Sequence, residues 1–220
     1  MADIHGALFD MDGLLLDTER VGQDAFVDVM TPRGVAEAEA RAAFLNFVGG
    51  NHASSAARLR DLLPNHDALE AQAAWISAFE VRIAEGVPLK RGVFETVSSL
   101  HAAGMPMVVV TSSHRVHAEH NLGATGLLDF FSAIVPGDEV THSKPDPEPY
   151  VTGAGLLGLS PSDCAAFEDS DAGVTAAMAA GCRAVQVPDL RPPGKPFPAL
   201  GQGHATTLRE AVMSLGLLAV

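Results

Sequence analysis

Basic residues are scarce: 14 Lys and Arg stand against 27 Asp and Glu in 220 residues, a formal net charge of −13. That deficit excludes nucleic acid and an anionic membrane surface as main partners, since both call for clustered Lys and Arg. It also constrains any phosphate chemistry, because the overall field repels anions unless a bound divalent cation reverses its sign locally. Long apolar runs are missing too. Nothing approaches the roughly 20 residues of a membrane span, and no basic stretch followed by an apolar one opens the chain, so neither a membrane helix nor a secretory signal is expected. Cysteine is limited to Cys164 and Cys182, in apolar surroundings and without metal-ligand spacing. Buried free thiols in a reducing compartment are the expectation, hence a soluble cytoplasmic protein, a monomer by default. What is present is core. With 47% of residues apolar and 19% charged, the chain can bury a full interior, and disorder is excluded.

Two regimes alternate along the sequence. Short apolar runs ending in polar residues appear at 4–9, 106–110, 133–135, 165–167 and 184–187. Helical-period segments separate the later ones, at 93–103, 115–122, 148–157 and 173–180, with a last helix at 208–218. Strands alternating with helices imply crossover connections, and so a mainly parallel, Rossmann-like sheet covered on both faces. Gly104, Gly123, Gly158 and Gly181 stand where helices should end. Residues 18–87 break this rhythm: they are Ala-rich and helical in period, with breaks at 31–34, 49–51 and 64–66. They read as an inserted domain of about four helices. The expected architecture is an α/β core from 1–17 and 88–220 with a helical cap domain at 18–87. The Pro-rich stretch at 188–198 reads as an ordered surface loop.

The chemistry-bearing residues sit at the ends of the apolar runs. The first run stops at Asp10-Met11-Asp12-Gly13. On an extended chain, residues two apart point the same way, so Asp10 and Asp12 can face one site at the carboxyl edge of the sheet, where open α/β sheets bind ligands. Two adjacent carboxylates repel unless a cation or a proton intervenes. An ordinary acidic turn would also end a strand this way. The second run ends in Thr111-Ser112-Ser113 ahead of a helix, where a hydroxyl and free N–H groups suit a phosphate oxygen, and where Ser113 could equally be an N-cap. A loop lysine, Lys144, precedes Pro145-Asp146-Pro147, and by itself it could be a solvated surface residue. The fourth run ends in Glu168-Asp169-Ser170, hard oxygen ligands of the kind Mg²⁺ takes. Each signal is modest alone. In this chain order they supply the parts needed to attack, hold and neutralise a phosphoryl group.

With those residues in place, the sequence resembles the haloacid dehalogenase superfamily, in its branch with a helical cap after the first strand, over nearly the whole chain. The segment from Asp10 through Glu19 matches the first motif, Val110-Thr111-Ser112 the second, Lys144-Pro145 the third, and Glu168 to Gly173 the fourth. The resemblance implies a Mg²⁺-dependent phosphatase acting on a small phosphorylated metabolite. By the same resemblance Asp10 is the nucleophile that becomes an aspartyl-phosphate, and Asp12 is the acid and then the base. The resemblance further implies a Mg²⁺ held by Asp10, the main-chain carbonyl of Asp12 and Asp169, with Glu168 as an additional or water-mediated ligand, and phosphoryl oxygens held by Thr111 and Lys144 with the Ser112 N–H assisting. Asp12 argues against the dehalogenases proper, which lack this acid.

A sugar phosphomutase similar to β-phosphoglucomutase is the alternative. That enzyme presents an Arg from the cap turn after Gly49, where this chain has Asn51 and His52, here assigned to substrate binding. A neutral imidazole is a poor substitute for a bidentate guanidinium, which favours the hydrolase. A phospho-accepting signalling domain would lack the helical insertion, and a non-catalytic binding protein has no reason to keep every motif. The series His114, His117, His120 suggests a zinc site at first sight. On a helix of 3.6 residues per turn, steps of three drift backward by about 60° each, so the rings cannot easily converge on one ion.

Overall fold

A computed structural model of the protein describes residues 3–48, 52–64, 67–192 and 194–219. The chain opens with strand β1 (Gly6–Phe9), then four helices, α1 (Thr18–Met30), α2 (Glu37–Phe44), α3 (His52–Leu62) and α4 (Ala68–Glu85). After α5 (Val93–Ala102) comes the alternation of β2 (Met107–Val110), α6 (Arg115–Ala124), β3 (Ala133–Val135), α7 (Glu148–Leu156), β4 (Cys164–Glu168), α8 (Asp171–Ala180) and β5 (Arg183–Gln186). A two-residue strand β6 (Gly203–His204) and helix α9 (Leu208–Ser214) close it. The strands form one sheet in the order β3-β2-β1-β4-β5-β6, with every pairing parallel. This is the α/β Rossmann-like architecture expected from the alternation.

Two compact units result, one of residues 1–17, 88–189 and 196–220, the other of residues 18–87 and 190–195. The short segment Leu190–Lys195 thus goes with the helices, although nothing in its Pro-rich composition sets it apart from the rest of 188–198. In the helical unit Phe26, Phe44, Phe47 and Trp75 pack edge to face around Leu59 and Ala71, and the indole Nε1 donates to the Gly22 carbonyl at 3.1 Å. Burying the indole ring therefore leaves no orphaned donor.

In the sheet unit the central strands are buried on both faces, as parallel strands between helix layers must be. Leu8, Val108, Val110 and Ala166 pack with Tyr150 and Ala154 of α7 and with Val174 and Ala177 of α8. The alternate residues Phe9, Val109 and Phe167 turn the other way and are equally closed to solvent, with the Phe9 and Phe167 rings stacked at 5.1 Å. Cys164 and Cys182 are free thiols within the first cluster, and burial raises them to about 11 and about 12. Among the described residues no helix is long and apolar enough to cross a membrane.

Some boundaries moved. α6 runs through Gly123 to Ala124, and Gly126, two residues beyond its end, takes the positive φ of 72° that Gly123 was expected to supply. α8 starts two residues before Gly173, capped by the Ser170 hydroxyl accepting from the Gly173 N–H at 3.0 Å. α9 stops at Ser214 rather than 218.

Candidate active site

Three neighbouring strands deliver the polar residues to one edge. Phe9 is in register with Val109 of β2 and with Phe167 of β4, so the residues that follow each strand emerge side by side. The ladder continues a step further: Asp10 N–H donates to the Phe167 carbonyl at 3.0 Å and Thr111 N–H to the Val135 carbonyl at 3.0 Å. Asp10 and Thr111 are consequently fixed by backbone as well as by side chain, and both are buried.

Lys144 is the hub of the site. Its Nζ donates to Asp10 Oδ1 at 2.6 Å, to Glu168 Oε1 at 2.6 Å and to the Val110 carbonyl at 2.8 Å, using all three protons. The side chain is 5% exposed, so the solvated surface lysine is ruled out. Burial by itself would lower its pKa; the charges of Asp10 and Glu168 overcome that and hold the ammonium well above its usual range. Asp10 is raised well above an ordinary carboxyl, chiefly by burial, with Lys144 opposing and Glu168 and Asp12 adding to the rise. A single ammonium thus serves two buried carboxylates, which leaves an uncompensated negative charge in the site.

Glu168 is fully enclosed and tied at both oxygens. Tyr150 O–H donates to Oε1 at 2.7 Å, while the Ser170 hydroxyl donates to Oε2 at 3.1 Å and the Ser170 N–H at 3.3 Å. Space for it is made by Gly173, where a Cβ would stand 1.8 Å from Glu168 Oε1. Tyr150 escaped the sequence reading. It is the only tyrosine in the chain, on a helix directly after the Lys144 loop, and a buried phenol needs a partner. Gln186, at the end of β5 and fully buried, was also missed; its Nε2 donates to the Asp169 carbonyl at 3.3 Å and to Asp171 Oδ1 at 3.1 Å.

Asp12 lies half-buried two residues beyond Asp10, and its Oδ2 accepts from Ser113 Oγ at 2.7 Å and more weakly from Thr111 Oγ1 at 3.4 Å. Ser113 is not the N-cap of α6; His114 holds that position, and the first helical N–H, of Arg115, is met by Asp138 Oδ1 at 2.9 Å. Ser112 is exposed beside it.

Carboxylate oxygens of Asp10, Glu168 and Asp169 lie within 4.8 Å of one another. This all-oxygen donor set, with more negative charge than Lys144 can balance, fits a hard divalent cation. His142, Asp146 and Glu148 form a second such grouping, but it is on the surface, and its carboxylates are engaged by the N–H groups of Thr141, His142 and Glu148 around the start of α7. The imidazoles of His114 and His117 stand 6.3 Å apart, and His114 is 72% exposed, as a solvated face would have it. Asn51 lies outside the described residues; His52 is described only as the first residue of α3.

Comparisons with known proteins agree on one family. The family model described as haloacid dehalogenase-like hydrolase matches residues 7–187. Fructose-1-phosphate phosphatase of Escherichia coli K12 is 35% identical, covering 83% of this chain and 95% of its own. Hexitol phosphatase A of the same organism is 31% identical, covering 83% and 82%. Among solved structures, a HAD family hydrolase from Deinococcus radiodurans R1, with bound phosphate and sodium, superposes with a TM-score of 0.81 at 27% identity, covering 100% of this chain and 99% of that one.

Proposed function

The chain belongs to the haloacid dehalogenase-like hydrolases, and on that premise we propose that it hydrolyses a small phosphorylated sugar or polyol through an aspartyl-phosphate on Asp10. The observation that carries this reading is the Asp10–Lys144–Glu168 triad at the carboxyl edge of the sheet, with Asp12 held two residues away. Relatives named for hexitol and fructose 1-phosphate hydrolysis support the substrate class.

Lys144 engages Asp10 Oδ1, so Oδ2 is the attacking oxygen. The ammonium favours the ionised form that attack requires, against the burial that disfavours it. As the Asp10–phosphorus bond forms and the ester bond breaks, the leaving oxygen takes a proton from Asp12. Water then attacks phosphorus and gives its proton back to Asp12, and the acyl-phosphate bond breaks to release inorganic phosphate. Thr111 and the Ser112 N–H hold phosphoryl oxygens during both steps. A Mg²⁺ held by Asp10, Asp169 and the Asp12 carbonyl would neutralise those oxygens and orient phosphorus. Glu168, with both oxygens in protein hydrogen bonds, acts mainly by keeping Lys144 charged and in place.

The test is phosphate release from p-nitrophenyl phosphate and from a panel that includes hexitol phosphates and fructose 1-phosphate. Activity with Mg²⁺ is expected to fall at least about 100-fold in EDTA. Ca²⁺ should support less than about a tenth of the Mg²⁺ rate, because its longer bonds and higher ligand number misalign Asp10 for in-line attack. Full activity in EDTA or with Ca²⁺ would reject the metal assignment. Failure on every phosphomonoester would reject the function.

A further inference from the structure

We infer that Ser113 is a positioning residue for Asp12, fixing the carboxyl group so that one defined oxygen faces the leaving group; the inference rests on the acid–base reading of Asp12 given above. The contact is short and specific: Ser113 Oγ donates to Asp12 Oδ2 at 2.7 Å, a normal O–H···O hydrogen-bond length and clearly shorter than the 3.4 Å of the Thr111 hydroxyl to the same oxygen. A hydroxyl has a single proton to donate, so Ser113 commits to Oδ2, and Oδ1 becomes the oxygen that gives up and regains the proton.

Two features show that the Ser113 hydroxyl is held for this contact and not for the helix that follows. Helix α6 begins after His114, and its first N–H is received by Asp138, so capping makes no demand on Ser113. The Ser113 backbone is pinned from both sides. Its N–H donates to Thr111 Oγ1 at 3.0 Å, and its carbonyl accepts from the Gly137 N–H at 2.9 Å. Gly137 comes so close that a Cβ there would lie 2.3 Å from the Ser112 carbonyl oxygen. The loop after β3 therefore braces the loop after β2, and the brace ends on the carboxyl group of Asp12.

Such a residue has a kinetic signature that a merely structural one lacks. An alkyl leaving group has to be protonated as it departs, whereas dinitrophenolate leaves without a proton. A slack Asp12 therefore slows the first and spares the second. The experiment uses the full chain with Mg²⁺ and measures first-turnover release of the leaving group from 2,4-dinitrophenyl phosphate and from the best alkyl phosphate of the panel. Ser113→Ala is expected to slow the alkyl phosphate about 30-fold, with KM within about twofold, and the dinitrophenyl ester by less than about threefold. Ser113→Thr, which keeps the hydroxyl, should come within about threefold of the parent protein on both. Near-normal dinitrophenol release reports at the same time that the variant is folded.

Asp12→Ala is the control and should discriminate the same way, by about 100-fold or more. If Asp12→Ala discriminates and Ser113→Ala slows both substrates equally, or raises KM alone, the positioning role is overturned while the acid–base reading stands. If Asp12→Ala fails to discriminate, the acid–base reading fails and the inference falls with it.

Discussion

Asp10→Asn is expected to lower kcat by at least about 10⁴-fold while leaving the protein as stable as before, or more so. The amide cannot attack phosphorus, but it fills the same space, and Lys144 keeps Glu168 as its counter-ion. The pH dependence has a definite sign. Asp10 is raised in the folded protein, chiefly by burial, so the unfolded chain ionises it first as pH climbs past the ordinary value of 3.8. Between that value and the raised one, the unfolded state binds fewer protons than the folded state, and stability falls with rising pH. Asp10→Asn removes this contribution. In EDTA at neutral pH, its thermal midpoint should match the parent or exceed it by ~3 °C, and its midpoint should vary less with pH above 4. A clear loss of midpoint, or activity above about 1% of the parent in clean protein, would count against the nucleophile assignment.

Lys144→Met should damage both stability and turnover, and by large amounts. It leaves Asp10, Glu168 and the Val110 carbonyl without their shared donor in a site that water scarcely reaches. Removing one partner from a buried ion pair costs about 3–5 kcal/mol, which lowers the midpoint of a protein this size by roughly 10 °C. Activity should fall at least about 10³-fold, because Asp10 loses the charge that favours its ionised form. Acid should narrow the stability gap, since protonating the stranded carboxylates removes the unpaired charge. Adding Glu168→Gln to Lys144→Met should recover part of the midpoint and none of the activity. A single variant as stable as the parent, judged by thermal melts across pH 4–8, would mean that the triad is not the buried cluster described.

The site was legible in the sequence to the extent that it hangs on strand ends. Asp10, Thr111 and Glu168 follow apolar runs whose lengths bring them to one edge, and an apolar run is a one-dimensional signal. Partners chosen by the third dimension were not legible. Tyr150 reads as a core aromatic until Glu168 is seen beside its hydroxyl, and Gln186 reads as the polar end of a strand. For Ser113 the sequence allows a helix cap as well as a phosphate contact, because it stands just before α6; only the placement of Asp138 and Asp12 shows that its hydroxyl goes elsewhere. Strand β6 was missed because its two exposed residues carry no apolar pattern at all; the parallel ladder with β5 makes it a strand. The same limit applies to Gly123, which sits inside a helix because Gly126 supplies the left-handed turn three residues later.

The central claim, a covalent phosphoryl group on Asp10, is tested most directly by trapping it. The protein is mixed with Mg²⁺ and the best substrate of the panel, quenched in the first turnover, and reduced with borohydride, which converts an acyl-phosphate side chain to the alcohol. Peptide mass spectrometry should then find homoserine in place of aspartate at position 10, only when substrate and metal are both present, and not in Asp10→Asn. Reduction at a different carboxylate, or none at position 10 while phosphate is being released, would contradict the mechanism.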